Sequence, residues 1–299
     1  RARILRKSVG LFVRGTEATI EQQRKSMNRA VLPLPRTART HPITVGGVPG
    51  VRIEPKHATA EGHLLYLHGG GYCVGNSSTH AAIAARLSMG AGMSATVLDY
   101  RLAPEQPYPA GLDDCVAAYE ALVQQYPTTS LAIAGDSAGG GATIATLQRI
   151  RDRGLPMPAA AVVFSPWLDL TGSSTSMRER AARDPMLRPA HLQRFGDAYR
   201  GSTDAAHPEV SPLLGQLDGL CPLLVQVGSE EILFDDSALL VQRVTDQGGT
   251  ATLDVYEGMW HVFQIFGPLL PEASLALAVA SRFLVRHTDD CRHGGASGE

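Results

Sequence analysis

The chain has 299 residues, 44% of them hydrophobic and 19% charged, with a formal net charge of −2 and a pI of about 6.6. This is globular composition, long for one core and short for two independent domains with linkers. The balance excludes the Lys/Arg surplus of a nucleic-acid-binding surface, and no run approaches the roughly 20 apolar residues that span a bilayer.

The opening RARILRKSVGLFVRG gathers Arg1, Arg3, Arg6, Lys7 and Arg14 on a short amphipathic stretch, which reads as the solvated face of a helix. Arg14 interrupts its apolar part and no small-residue cleavage pattern follows, so it does not read as a signal peptide. The chain starts without Met. Residues 1–40, charged and helical up to Pro33 and Pro35, form a segment of their own. Ile43–Ile53 reads as a hairpin, an antiparallel edge.

Strands and helices then alternate. Strands are expected at His63–Leu67, Ser94–Asp99, Leu131–Ala134, Ala159–Phe164, Leu223–Val227 and Ala251–Tyr256. Helices are expected at His80–Met89, Asp113–Tyr126, Ala138–Asp152, Ser237–Gln247 and Glu272–His287. Strands separated by helices of this length mean crossover units, hence an α/β fold with a mostly parallel sheet flanked by helices. Residues 171–207 break the alternation. They are rich in Arg, Asp and Ser, with one helix near Pro189–Tyr199. An insertion of that size between core strands is expected to be a lid, packed with residues 1–40 as a cap on the catalytic body, residues 41–299.

Cys73, Cys115, Cys221 and Cys291 are far apart and form no CxxC pair. They read as thiols of a reducing cytoplasm rather than a disulfide framework or zinc site. HExxH is absent too, so no metal is expected.

Gly135-Asp136-Ser137-Ala138-Gly139 is a GxSxG string. It is weak alone and strong here because it joins the apolar strand LAIA to the helix GGGATIATLQRI. A sharp strand–turn–helix junction lifts a serine hydroxyl off the carboxyl edge of a sheet, and its flanking positions, Gly135 and Gly139, must be small. His68-Gly69-Gly70-Gly71 directly follows strand HLLYL, as a loop presenting backbone N–H groups to an oxyanion would. No GxGxxG or Lys-Ser/Thr accompanies it, so a nucleotide cradle is excluded. His68 itself reads as a packing residue.

A serine nucleophile in this order needs its acid next and its base last. Of His261, His287 and His293, only His261 lies on a loop leaving a strand at the serine's edge of the sheet, in EGMWHVF. The acid belongs on the loop after LLVQV, where Glu230, Glu231, Asp235 and Asp236 compete.

With HGGGYCVGNSSTH, DYRLAPEQPYP, GDSAGG, SPWLDLT, DPML, SPL and EGMWHVF in that order, the chain resembles the hormone-sensitive-lipase-like family of microbial carboxylesterases, of α/β-hydrolase fold. The resemblance implies Ser137 as nucleophile and His261 as base. It also implies Gly70, Gly71 and Ala138 as oxyanion donors. The family's acid segment, commonly Asp-Pro-Leu-x-Asp, aligns with Glu231-Ile232-Leu233-Phe234-Asp235, which makes Glu231 the acid. Tyr100–Glu105 would be structural. Tyr72, Trp167, Phe195 and Tyr199 are candidate pocket walls, with packing in the core as their other reading.

The expected activity is hydrolysis of small-molecule esters with short-to-medium acyl chains, without a cofactor. A lactonase or amidase using the same residues is the alternative. A non-catalytic ligand receptor of the same fold would be expected to lack a triad member. The sequence leaves a homodimer open.

Overall fold

The computed structural model describes residues 18–56 and 62–293, so the basic N-terminal stretch lies outside it. A first helix, α1 (Ile20–Arg29), starts at a capping box in which the Thr19 side chain accepts from the Gln22 N–H and Gln22 reaches back to the Thr19 N–H. An eight-stranded sheet follows, ordered β1-β2-β4-β3-β5-β6-β7-β8. Its strands are β1 (Ala38–Val45), β2 (Val48–Pro55), β3 (His63–Leu67), β4 (Ser94–Leu98), β5 (Leu131–Asp136), β6 (Ala160–Phe164), β7 (Leu223–Gly228) and β8 (Ala251–Tyr256). The β1–β2 hairpin and the β2–β4 pair are antiparallel, and every other pairing is parallel.

The connecting helices are α2 (Ser77–Ala91), α3 (Ala110–Val123), α4 (Ala138–Asp152), α5 (Thr175–Glu179), α6 (Pro189–Arg200), α7 (Phe234–Asp246) and α8 (Pro271–His293). Alternate strand residues feed two cores. Leu65, Leu67, Ile133, Val163 and Val225 face α3, α4 and α7. Leu64, Tyr66, Ala132, Val162 and Leu224 face α2 and α8. Burial on both faces is why these strands read as continuous apolar runs.

Several expectations shift at their edges: α2, α3 and α7 each begin three residues earlier than expected, and α8 runs on to His293. The hairpin is longer than expected, because β1 begins at Ala38; residues 38–40 therefore belong to the sheet and not to a cap segment. The insertion holds a second short helix, α5, besides α6. The insertion does meet the N-terminal segment: Arg194 of α6 donates to the Ala18 carbonyl at 3.0 Å. Among the described residues, no single helix is long and apolar enough to cross a membrane.

The chain leaves β3 for β4 on one side and returns to β5 on the other. The order in which strands are added thus reverses between β3 and β5, a place where an open α/β sheet forms a crevice at its carboxyl edge.

Candidate active site

Ser137 sits in that crevice, one residue beyond β5. Its backbone is at φ 55°, ψ −122°, a region that L residues occupy at a cost of about 1–3 kcal/mol. Three hydrogen bonds hold it there. The Ser137 N–H donates to the Phe164 carbonyl at 2.9 Å, and the Ser137 carbonyl accepts from Gly141 at 3.1 Å and Trp167 at 2.9 Å. The turn also requires Gly139 to lie against β3. A Cβ on Gly139 would stand 2.0 Å from the Leu67 carbonyl oxygen. Helix α4 begins at Ala138, so the positive end of its dipole lies beside the hydroxyl.

The next loop over, residues 68–74, turns tightly. The Gly70 carbonyl accepts from both Cys73 (3.1 Å) and Val74 (2.9 Å). Gly71 has φ +61°, and a Cβ there would meet the Phe195 ring at 2.6 Å. Beneath the loop, Asp136 accepts from Tyr66 Oη at 2.8 Å and from the Gly69 N–H at 3.2 Å, and His80 Nε2 stands 3.4 Å away. Burial alone would raise the Asp136 carboxyl, but His80 and Tyr66 outweigh it and hold it below the usual range. The loop therefore rests on a buried carboxylate. His68 packs as expected. Its ring stacks on Tyr100 at 4.3 Å, and burial drives its pKa down to about 3, so it is neutral.

His261 is buried, with Nε2 2.9 Å from Ser137 Oγ and Nδ1 2.9 Å from Glu231 Oε2. Burial lowers its pKa, yet the Glu231 hydrogen bond and charge prevail and leave it above the ordinary imidazole value.

The four competing carboxylates go to four different places. Asp235 accepts from the Ser176 N–H at 2.7 Å. Asp236 accepts from Leu168 at 2.8 Å and Asp169 at 3.0 Å, and burial pushes its pKa up to about 7. Glu230 stands 3.8 Å from Arg183. Glu231 is fully buried and meets His261.

Several residues that the sequence did not single out support this pair. Glu231 Oε1 accepts from the Gly228 N–H at 2.5 Å and from Ser165 Oγ at 2.8 Å. The same Ser165 oxygen accepts from the Val262 N–H at 3.1 Å. Asp184 Oδ2 accepts from the Ile232 N–H at 3.0 Å, and its Oδ1 accepts from Met186 and Leu187. The Glu230 N–H donates to the Met259 carbonyl, which ties the two loops together.

Of the candidate pocket walls, Tyr72 stacks on Tyr199 at 3.8 Å and tilts against Trp167 at 5.9 Å, all three buried. Phe195 is half-buried. A cavity of about 320 Å³ lies between Trp167 and α6, with Leu170, Met177, Leu192 and Gln193 in its wall. Among the described residues, no group of three or more His, Cys, Asp or Glu side chains could hold a metal.

The geometry is that of an α/β-hydrolase, and the model of the alpha/beta hydrolase fold family matches residues 64–265. An acetyl-hydrolase of Streptomyces hygroscopicus is 43% identical over 244 residues, 81% of either chain. An esterase of Acinetobacter venetianus is 37% identical over 249 residues, 83% of this chain and 82% of that one. The crystal structure of an esterase from the bacterial hormone-sensitive lipase family superposes with a TM-score of 0.93 at 36% identity, covering 96% of this chain and 98% of the other. The chain belongs to this hormone-sensitive-lipase-like family of α/β-hydrolase-fold carboxylesterases.

Proposed function

We propose that the chain hydrolyses short-to-medium acyl esters through Ser137, His261 and Glu231. The observation that carries the reading is the unbroken line from Glu231 Oε2 to His261 to Ser137 Oγ, 2.9 Å at each link.

His261 Nε2 removes the hydroxyl proton as Ser137 Oγ attacks the ester carbonyl. The tetrahedral oxyanion is received by the N–H groups of Gly70, Gly71 and Ala138. Glu231 orients the imidazole and stabilises its cation. The imidazolium then protonates the leaving alkoxide, which departs as the alcohol. Water repeats the sequence on the acyl-enzyme, releasing the acid and free serine. Each proton taken is returned, so no cofactor is consumed.

Tyr72, Trp167, Phe195 and Tyr199 form the pocket walls in this reading, under a cap made of the N-terminal segment and the insertion. The short-to-medium acyl range is supported by a modest cap, whose insertion carries helices of 5 and 12 residues. The buried, unpaired thiols of Cys73, Cys115 and Cys221 are in keeping with a cytoplasmic enzyme.

The test is a series of p-nitrophenyl esters from acetate to dodecanoate, with a lactone and an amide of matched acyl size. The highest kcat/KM is expected between about two and eight carbons. Faster turnover of a triglyceride emulsion, or of the lactone or amide, would replace this assignment.

A further inference from the structure

A helix outside the α/β body reaches the loop that carries the oxyanion donors. Arg24 of α1 donates from Nε to the Cys73 carbonyl at 2.7 Å and from Nη2 to the Ala103 carbonyl at 2.8 Å. The same guanidinium pairs with both carboxylate oxygens of Glu105, at 2.8 and 2.7 Å. One turn later, Asn28 accepts from the Asn76 side chain at 2.9 Å, and Asn76 caps α2. The stretch from Cys73 to Asn76 is therefore held at both ends by α1.

We propose that Arg24 is a positioning residue for the oxyanion loop, so that the N-terminal segment completes the site rather than merely covering it. This rests on the hydrolase reading above. The Cys73 N–H is bonded to Gly70, and its carbonyl is bonded to Arg24. The Cys73 carbonyl shares its peptide plane with the Val74 N–H, which also donates to the Gly70 carbonyl, and that carbonyl shares its plane with the Gly71 N–H; moving the Cys73 carbonyl therefore re-aims the Gly71 N–H. Oxyanion donors must keep their aim within a fraction of an ångström to favour the transition state.

A guanidinium suits this task. Its planar fork serves two carbonyls and a carboxylate at once, which an ammonium cannot do with the same geometry. Glu105 fixes the fork's orientation, and the Arg24 hydrogen bond holds the Glu105 carboxyl down at about 2. Glu105 therefore remains ionised across any pH at which His261 is neutral. From the other side, the Phe195 ring lies against Gly71, and Cys73 Sγ contacts the Phe195 carbonyl at 3.8 Å. The loop is gripped between α1 and α6, and the Arg194 bond to the Ala18 carbonyl joins the two grips.

The experiment compares Arg24→Ala, Arg24→Lys and Glu105→Gln with the wild type on one soluble ester. It also measures inhibition by a trifluoromethyl ketone, which forms an oxyanion on the serine, and by a non-reactive ketone of the same shape. Arg24→Ala is expected to lower kcat by roughly 10- to 100-fold with KM changed less than about threefold. Affinity for the trifluoromethyl ketone should fall in parallel, and affinity for the non-reactive ketone should not. Arg24→Lys, which keeps one donor and the aliphatic stem, should recover part of the kcat. Glu105→Gln, which weakens the pairing that orients the fork but leaves both carbonyl bonds available, should lower kcat less than Arg24→Ala does, again with KM changed little.

Wild-type kcat in Arg24→Ala, or an equal loss of affinity for both ketones, would overturn the proposal. If Arg24→Ala does not fold, Arg24→Lys decides alone: reduced kcat at an unchanged melting temperature supports the proposal, and wild-type kcat sinks it. A wild-type protein that hydrolyses no ester would instead remove the underlying hydrolase reading.

Discussion

Ser165 holds Glu231 and the histidine loop with one hydroxyl, donating to Glu231 Oε1 at 2.8 Å while accepting from the Val262 N–H at 3.1 Å. It follows β6 directly and, like Ser137, adopts a positive φ, 47°. Ser165→Ala strands a buried N–H and removes one of the donors to Glu231. The expected cost is about 1–3 kcal/mol of stability, with kcat lowered roughly tenfold because the acid is held less firmly. Thermal melting and steady-state kinetics on one sample check both. Wild-type values for each would show that the bridge is idle.

The nucleophile is tested by Ser137→Ala. The expected loss in turnover is on the order of 10⁴ to 10⁶. The backbone bonds to Phe164, Gly141 and Trp167 do not involve the hydroxyl, so circular dichroism and the melting temperature should stay near wild type. A variant with a tenth of the activity would mean that another group attacks.

The adjacent acids separate cleanly. Glu231→Gln should lower kcat by roughly 10² to 10⁴, because an amide cannot stabilise the imidazolium as a carboxylate does. Glu230→Gln should change kcat less than about fivefold, since its carboxylate faces Arg183 on the outer side of the loop. The two variants, assayed side by side on one ester, settle the register. A crippled Glu230 variant beside a healthy Glu231 variant would reverse the assignment.

The pH profile follows from the direction of the His261 shift. A base must be neutral to accept the serine proton, so kcat/KM falls as pH drops through the His261 pKa. Burial would lower that pKa, and Glu231 raises it past the ordinary imidazole value. The wild-type inflection is therefore expected above 6.5. Removing the Glu231 charge takes away the largest opposition to burial, leaving only the smaller pull of Asp184 and Asp136, so the residual activity of Glu231→Gln should persist to lower pH than wild type. An inflection that moves upward in that variant would contradict the electrostatic account.

Much of the framework was legible from spacing alone. The bounds of Ala138–Asp152 and Ala251–Tyr256 match expectation, because Gly154 and Pro156 stop the first, and Gly248-Gly249 precedes and Gly258 follows the second. The hairpin was read short because β1, ARTHPITV, is largely exposed and polar and shows no apolar alternation before Ile43. Four carboxylates on one loop could not be separated by composition. Their fates depend on which donors and cations the fold brings near: Ser176 for Asp235, Leu168 and Asp169 for Asp236, Arg183 for Glu230, and Ser165, Gly228 and His261 for Glu231. Ser165 and Asp184 were missed for the same reason. A lone serine and a lone aspartate carry no periodicity, and their partners lie 66 and 48 residues away. The strings SPWLDLT and DPML contained both, but as family resemblance rather than as chemistry.

The contact between Gly139 and the end of β3 limits how this scaffold could be re-engineered. Leu67 and Gly135 are paired in register, so neither strand can slide to admit a side chain at position 139. A saturation library would record the position as intolerant, and a stability screen would file it under folding. The intolerance has another source: this spacing also sets the separation of the serine hydroxyl from the neighbouring glycine loop. Attempts to accept bulkier substrates have no width to gain at the elbow. In the reading proposed above, they must work from the insertion side, where Phe195 lies against Gly71 and belongs to no strand of the sheet.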